Sequence, residues 1–194
     1  MNSTKLRTFC TATALAACSV AFIGCTTTRP DDRASTASSR SSIEAQVDAT
    51  LSKLYDTVPD SREMVAKSRG VLVFPAVVGG SLGVGAEYGR GALRVGGRTQ
   101  AYYSTTAGSV GLQAGAHSRA MIYLFTTQEA LDKFRNSKGW TAGADASVAA
   151  ATLGANGRID TNTMRQPVVG FVLTNVGLEA GVSLQGARIA EVRL

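Results

Sequence analysis

Residues 79–83 read Gly-Gly-Ser-Leu-Gly, a G-x-S-x-G pattern placed directly after the apolar run VLVFPAVV at 71–78. A strand that turns sharply into a helix at such a serine is the nucleophile elbow of an α/β-hydrolase, where the hydroxyl attacks an ester or amide carbonyl. The elbow needs a helix after Ser81, then an acid, then a histidine. The residues after Ser81 are LGVGAEYGRG, glycine-rich and alternating with period two, which favours a strand and not a helix. His117 is the single histidine, and Glu87 is the single acid between it and Ser81. Ser81 therefore reads as the polar side of a strand whose glycines admit close packing, and no enzyme activity is expected.

Other chemistry is equally sparse. GVGAEYG (83–89) has the spacing G-x-G-x-x-x-G with no helix opening behind it, so it is not a dinucleotide fingerprint. His117 falls in phase with Gln113 on the less apolar side of its strand, where a lone histidine is a surface or hydrogen-bonded residue. All three cysteines lie within the first 25 residues and the acids are scattered, so neither a metal nor a cofactor is expected. The basic residues carry the remaining option. Arg94 and Arg98 are expected to share a strand face, with Arg90 in the turn before them. Lys133, Arg135 and Lys138 cluster at the end of a helix, where they also complement its dipole. These six are the candidate contacts for lipid headgroups, because guanidinium groups pair well with phosphate; the plainer reading is a solvated basic face.

The elements that must position these residues begin after a leader. MNSTKLR carries Lys5 and Arg7 and no acid, and residues 8–24 carry no charge. That Ala- and Thr-rich stretch is short for a membrane span, which needs ~20 strongly apolar residues, but it fits a secretory signal. FIGC ends it at Cys25 and resembles a bacterial lipobox, in which the cysteine is acylated; LAAC at 15–18 makes Cys18 the alternative, and an ordinary signal peptide is the plainer one. Residues 1–24 are thus expected to be a lipoprotein signal peptide, and 25–41, rich in Ser, Thr, Arg and Asp, a flexible tether. Thr26 after the cysteine looks like an outer-membrane address. The chain would then be lipid-anchored in a bacterial cell envelope and face the periplasm. Its formal charge of +6 stays positive without Lys5 and Arg7. Few aromatics and no dense basic run argue against nucleic acid as a partner.

Residues 42–194 are expected to form one domain. Ser41 and Glu44 have capping-box spacing, and Ile43, Val47, Leu51, Leu54, Tyr55 and Val58 make one helical stripe. The opposite face, with Glu44, Asp48, Lys53 and Asp56, is slightly acidic, so this helix is expected to pack on a core and not on anionic lipid. Pro59 closes it; Asp60 and Glu63 start a second helix that Gly70 ends. From 71 the period is two. In SLGVGAEYG, Leu82, Val84, Ala86 and Tyr88 share one face, and Ser81, Gly83, Gly85, Glu87 and Gly89 the other. GRG at 89–91 is read as a turn, GSVGLQAGA (108–116) as a strand, and MIYLF (121–125) as a central strand buried on both faces. Thr126 and Glu129 are expected to cap a helix with Leu131 and Phe134 inward and Gly139 as its stop. Residues 140–153 read as either strand or helix, Asn156-Gly157 as a turn, and 167–174 and 177–192 as the last strands. The fold class is α+β: a strongly curved, Gly-rich antiparallel sheet, two N-terminal helices and one helix inserted mid-domain. Whether the sheet closes into a barrel is left open.

Taken in order, SRGVLVFP (68–75), GGSLGVG (79–85), GSVGLQAGA (108–116), MIYLFTTQEALDKF (121–134), WTAGADASVAAAT (140–152) and GLEAGVSLQGARI (177–189) resemble the SYLF domain family. The resemblance implies a non-enzymatic lipid-binding domain, linked in eukaryotic members to phosphoinositide membranes and actin. Bacterial members resemble this chain, with a secreted or lipidated single domain. Two departures limit the transfer: the acidic polar face of the first helix, and Glu179, where members commonly carry a bulky apolar residue. What carries over is an expectation that the domain binds anionic phospholipid of a membrane. The alternative is an envelope structural or protein-interaction module with no lipid site beyond its anchor. No small-molecule substrate is expected in either case.

Overall fold

The structure, a computed structural model, describes residues 32–153, 158–179 and 184–194. Cys10, Cys18, Cys25 and the Asn156-Gly157 turn lie outside the described residues. The elements run α1 (Asp32–Thr57), α2 (Ser61–Lys67), β1 (Gly70–Val95), β2 (Arg98–Phe125), α3 (Gln128–Asn136), β3 (Trp140–Thr141), β4 (Val148–Ala150), α4 (Thr161–Met164), β5 (Val168–Thr174), β6 (Gly177–Leu178) and β7 (Arg188–Val192).

Helix α1 begins at Asp32, ahead of the expected start at Ser41. Nothing between Asp32 and Ser41 breaks a helix, and once the packed turns beyond Ile43 exist, each further residue adds a hydrogen bond at little cost. Ser41 is therefore interior, and its hydroxyl donates back to the Ser38 carbonyl at 3.0 Å. Glu44 is drawn to the sheet instead of to a capping box. The end of α1 is sealed by Ser61, fully buried, whose hydroxyl lies 2.7 Å from the Val58 carbonyl and 3.1 Å from that of Leu54. Asp60 precedes α2 as expected, but its side chain does not cap; it accepts from Arg158 Nε at 2.8 Å.

Strands β1 and β2 form one long antiparallel hairpin. The turn is Gly96-Gly97, with φ of 58° and 76°, the positive pair of a type I′ hairpin turn. Residues 89–91, where the sequence suggests the turn, lie inside β1. Their glycines serve another purpose: β1 doubles over itself. A Cβ on Gly91 would fall 1.9 Å from the Val73 carbonyl oxygen, and one on Gly89 2.8 Å from Val77 Cγ2. Register shifts between Phe74 and Val77, Ser81 and Gly83, and Leu93 and Arg94 supply the bending. Pro75, with no N–H to donate, sits in the first of them.

Because β2 is long and curled, different stretches of it take different partners. Tyr102–Thr106 pair with β7, and Ala120–Phe125 with β5. Among the described residues the sheet has seven strands, in the order β3-β7-β2-β5-β4, with β1 on β2 and β6 on β5. It is strongly curled and antiparallel but for β4 and β5, which are parallel. The α+β expectation holds: a strongly curved, mainly antiparallel sheet with two N-terminal helices and one helix inserted mid-domain. The segment between β4 and β5 is long enough, with α4 in it, for a crossover.

The core lies on both faces. Met121, Tyr123 and Phe125 join Leu72, Phe74, Leu131, Phe134 and Trp140 on one. Ile122 and Leu124 join Val47, Leu51, Leu54, Val58 and Phe171 on the other, under α1. MIYLF is thus a central strand buried on both sides, as its unbroken apolarity requires. Helix α3 is capped one residue later than expected, by Thr127, whose side chain accepts from the Ala130 N–H at 3.2 Å. Thr126 donates to the Gln166 carbonyl instead, at 2.7 Å. The 140–153 stretch resolves into the two short strands β3 and β4. The 177–192 stretch divides into β6 and β7, with 180–183 outside the described residues.

Candidate functional site

Ser81 lies within β1, its backbone in register with Gly115, and the strand runs on without a turn into a helix. The elbow geometry is absent there. His117 has another neighbour: its Nε2 is 3.1 Å from Glu87 Oε1. Arg119 Nη2 donates to both oxygens of Glu87, at 2.7 and 2.8 Å. Glu87 is 7% exposed, so its charge is taken up inside the protein. A Cβ on Gly79 would lie 2.7 Å from Glu87 Cγ, which explains the glycine opposite. Behind this group the Tyr123 phenol is fully buried, and burial pushes its ionisation well above the ordinary range.

The sequence does not reveal this trio, because alternation defines two faces of a strand without saying which is inward. Here the face carrying Gly85, Glu87 and Gly89 is buried, and the face carrying Val84, Ala86, Tyr88 and Arg90 is exposed. Binary patterning alone would put the apolar face inside. At Gly89 and Gly91 this face is inward because β1 packs there on its own backbone, at Ala76, Val77 and Val73, where a side chain has no room.

The six basic candidates do not form one patch. Arg94, its side chain 14% exposed, is held by Glu44 at 2.9 Å and by Asp48. Glu44 also accepts from Thr99 Oγ1 at 2.8 Å and Tyr102 Oη at 2.9 Å. Burial works to raise the Glu44 carboxyl's pKa, but the hydrogen bonds from Thr99, Arg94 and Tyr102 outweigh it and hold the group below its ordinary value. Arg94 is itself desolvated, and its two carboxylate partners keep it protonated all the more firmly. Arg94 thus ties α1 to the hairpin end. Arg98 does not share its strand; it opens β2 beyond the Gly96-Gly97 turn, where it is exposed. Lys133 donates to the Asp145 carbonyl. Arg135 lines a shallow polar depression with Tyr103, Asp132 and Glu191, and Lys138 is exposed just past α3. Since Leu131 and Phe134 of α3 pack on one sheet face and α1 on the other, the two basic groups lie on opposite sides.

Arg90 differs from the rest. It is an exposed residue of β1, not of a turn. Its Nε donates to Tyr88 Oη at 2.9 Å, and its guanidinium stands 6.0 Å from that ring's centroid. It lines an open cleft with Ala76 of β1 and Ser38, Ser42, Ile43 and Gln46 of α1. The cleft presents a fixed positive charge, hydroxyls and an amide together, the donor set for a phosphate-like oxyanion.

The cleft borders a two-stranded arch. Between Thr106, where β7 leaves β2, and Ala120, where β5 joins it, β2 pairs only with β1 among the described residues. The arch is pinched where Gly79 meets Glu87 and His117. Five large apolar side chains are exposed among the described residues, and three of them, Val78, Val84 and Tyr88, lie on this part of β1.

A family model described as "Ysc84: Las17-binding protein actin regulator" matches residues 106–193. Residues 106–193 match the Ysc84 (SYLF) family. The match takes in the second limb of the arch, α3 and the strands through β7, and so confirms the resemblance over four of the six stretches that carried it. The SYLF segment starts within β2, and β1 is hydrogen-bonded along that strand's length. The first limb of the arch, with Arg90, is therefore part of the same sheet as the matched segment. A comparison with curated proteins gives no match.

Proposed function

We propose that this SYLF-type domain is a non-enzymatic binding module for anionic phospholipid at a membrane surface, in a lipoprotein anchored through Cys25. The observation that carries the reading is the open cleft between α1 and β1, which exposed Arg90 lines together with Ser38 and Ser42. A headgroup phosphate would accept from the guanidinium and from serine there, and each basic contact with an anionic surface is worth ~1 kcal/mol. Arg98, Lys133, Arg135 and Lys138 add long-range attraction only, and Arg94 holds the fold. Anchoring at Cys25, with Cys18 as the alternative, and a site on the periplasmic side of the outer membrane are inferred from the leader sequence. Las17 and actin belong to the description of the family and are not assigned to this chain.

The test is co-sedimentation of residues 25–194 with Cys25→Ser, the chain left once the leader is removed, with anionic or neutral vesicles at low and high salt. Binding that needs anionic lipid and weakens with salt supports a headgroup site; absence of any such preference contradicts it. One observation favours a second reading, a protein-interaction module. The edge of β1 away from β2 pairs with no strand among the described residues, and a free edge can accept a partner strand.

A further inference from the structure

The arch places its residues the wrong way round for a soluble protein. Along β1 the exposed positions are Ala76, Val78, Gly80, Val84, Ala86 and Tyr88, followed by Arg90. Val84 is 74% exposed, Val78 53% and Tyr88 43%. No charged residue occurs in 76–86 or in 107–116, the two limbs. The nearest acid, Glu87, is turned inward and bound to Arg119. The outward face of β1 from Ala76 to Arg90 thus presents apolar groups, then an aromatic ring, then a single positive charge. That sequence matches the profile of a bilayer boundary: hydrocarbon, the interfacial zone favoured by tyrosine, and anionic headgroups. Pairing across the arch satisfies the inner N–H and C=O groups of both limbs, while their outer edges, unpaired among the described residues, keep the entry shallow.

We infer that the β1–β2 arch inserts its outward face, centred on Val84, into the apolar boundary of an anionic bilayer, with Tyr88 and Arg90 at headgroup level. This rests on the lipid-binding reading and deepens it, by naming the surface that enters the membrane. Inward burial of Glu87 by Arg119 is what frees the arch of negative charge. The arch is no hydrophobic anchor by itself; burying its few apolar side chains sets orientation and depth once Cys25 or headgroup attraction has brought the domain to the surface.

The experiment uses the chain left once the leader is removed, residues 25–194 with Cys25→Ser, and an environment-sensitive fluorophore on Val84→Cys. Val176→Cys, 99% exposed in the β5–β6 turn, is the control. Vesicles contain anionic lipid with a quencher on the acyl chain. The expected result is a blue shift and acyl-chain quenching at position 84, with neither at 176, and about a tenfold loss of vesicle partition in Val84→Asp. Binding to anionic vesicles with the label at 84 still in water would overturn the arch while leaving the headgroup reading standing. No binding would overturn both. A blue shift without vesicles that grows with protein concentration would overturn insertion and assign the face to a second copy of the chain.

Discussion

Arg119 closes the neck of the β1–β2 arch by donating to both carboxylate oxygens of Glu87, at 2.7 and 2.8 Å. The side chains are 18% and 6% exposed, so the pair is largely removed from water. Removing Arg119 leaves the buried Glu87 carboxylate with its His117 contact in place of two guanidinium hydrogen bonds, whereas replacing both partners of such a pair by apolar groups is often nearly neutral. The buried Nε of Arg119 has no acceptor, which lowers the pair's own contribution. Arg119→Met should therefore destabilise the domain by about 3 kcal/mol, and Glu87→Met/Arg119→Met by less. Denaturant unfolding of the two variants checks the order.

The doubling of β1 over itself makes a sharper prediction. A methyl on Gly91 would meet backbone, the Val73 carbonyl oxygen at 1.9 Å, and the Phe74 ring at 2.8 Å. Backbone cannot swing aside as a side chain can, so Gly91→Ala should cost about 3 kcal/mol or more. Gly108, in the opposite limb, has nothing within 4 Å of where a methyl would stand, and should accept alanine within about 0.5 kcal/mol. Thermal melts of both variants decide whether the strand crosses itself at Val73.

The Glu44–Arg94 contact makes α1 docking sensitive to acid. The Glu44 carboxyl sits below its ordinary value in the folded protein, as burial is outweighed by its three hydrogen bonds. A lowered folded-state value favours the native state once pH is above the unfolded value, about 4.3. That contribution is lost as pH falls through the lowered value. Amide exchange in α1 should accelerate as pH drops below about 4, beyond the intrinsic trend, and Glu44→Gln should flatten the response. Exchange in Glu44→Gln that tracks the wild type would remove Glu44 from this role.

How much of the fold and site is legible in the sequence depends on which contacts are local. The α1 stripe, MIYLF and the inward Leu131 and Phe134 are legible because each depends on neighbours within a few turns or one strand. The role of Arg94 is not, because its partners Glu44 and Asp48 are distant in the chain and nothing in GALRVGGR announces them. Gly-Arg-Gly at 89–91 and Gly96-Gly97 are both plausible turns, and only the crossing at Val73 shows what the first is for. The inward Glu87 is hidden for a related reason: a glycine face is inside only if backbone packs there, and that depends on the curl of the sheet.

The leader gives a prediction of its own. A lipobox cysteine at 25 implies that radiolabelled fatty acid is incorporated into the expressed chain, lost in Cys25→Ser and kept in Cys18→Ser. The reverse pattern would move the anchor to Cys18, and no labelling in either would reduce the leader to an ordinary signal peptide.

The most direct test of the lipid-binding account is the affinity of Arg90→Ala for anionic vesicles, measured beside its melting temperature. Arg90 is exposed, and among the described residues its guanidinium hydrogen-bonds to Tyr88, two residues away, so its removal should leave the fold's stability nearly unchanged. The account predicts about fivefold weaker binding, the loss of one ~1 kcal/mol headgroup contact, with the melting temperature unaltered. Unaltered affinity in a folded Arg90→Ala protein would contradict it.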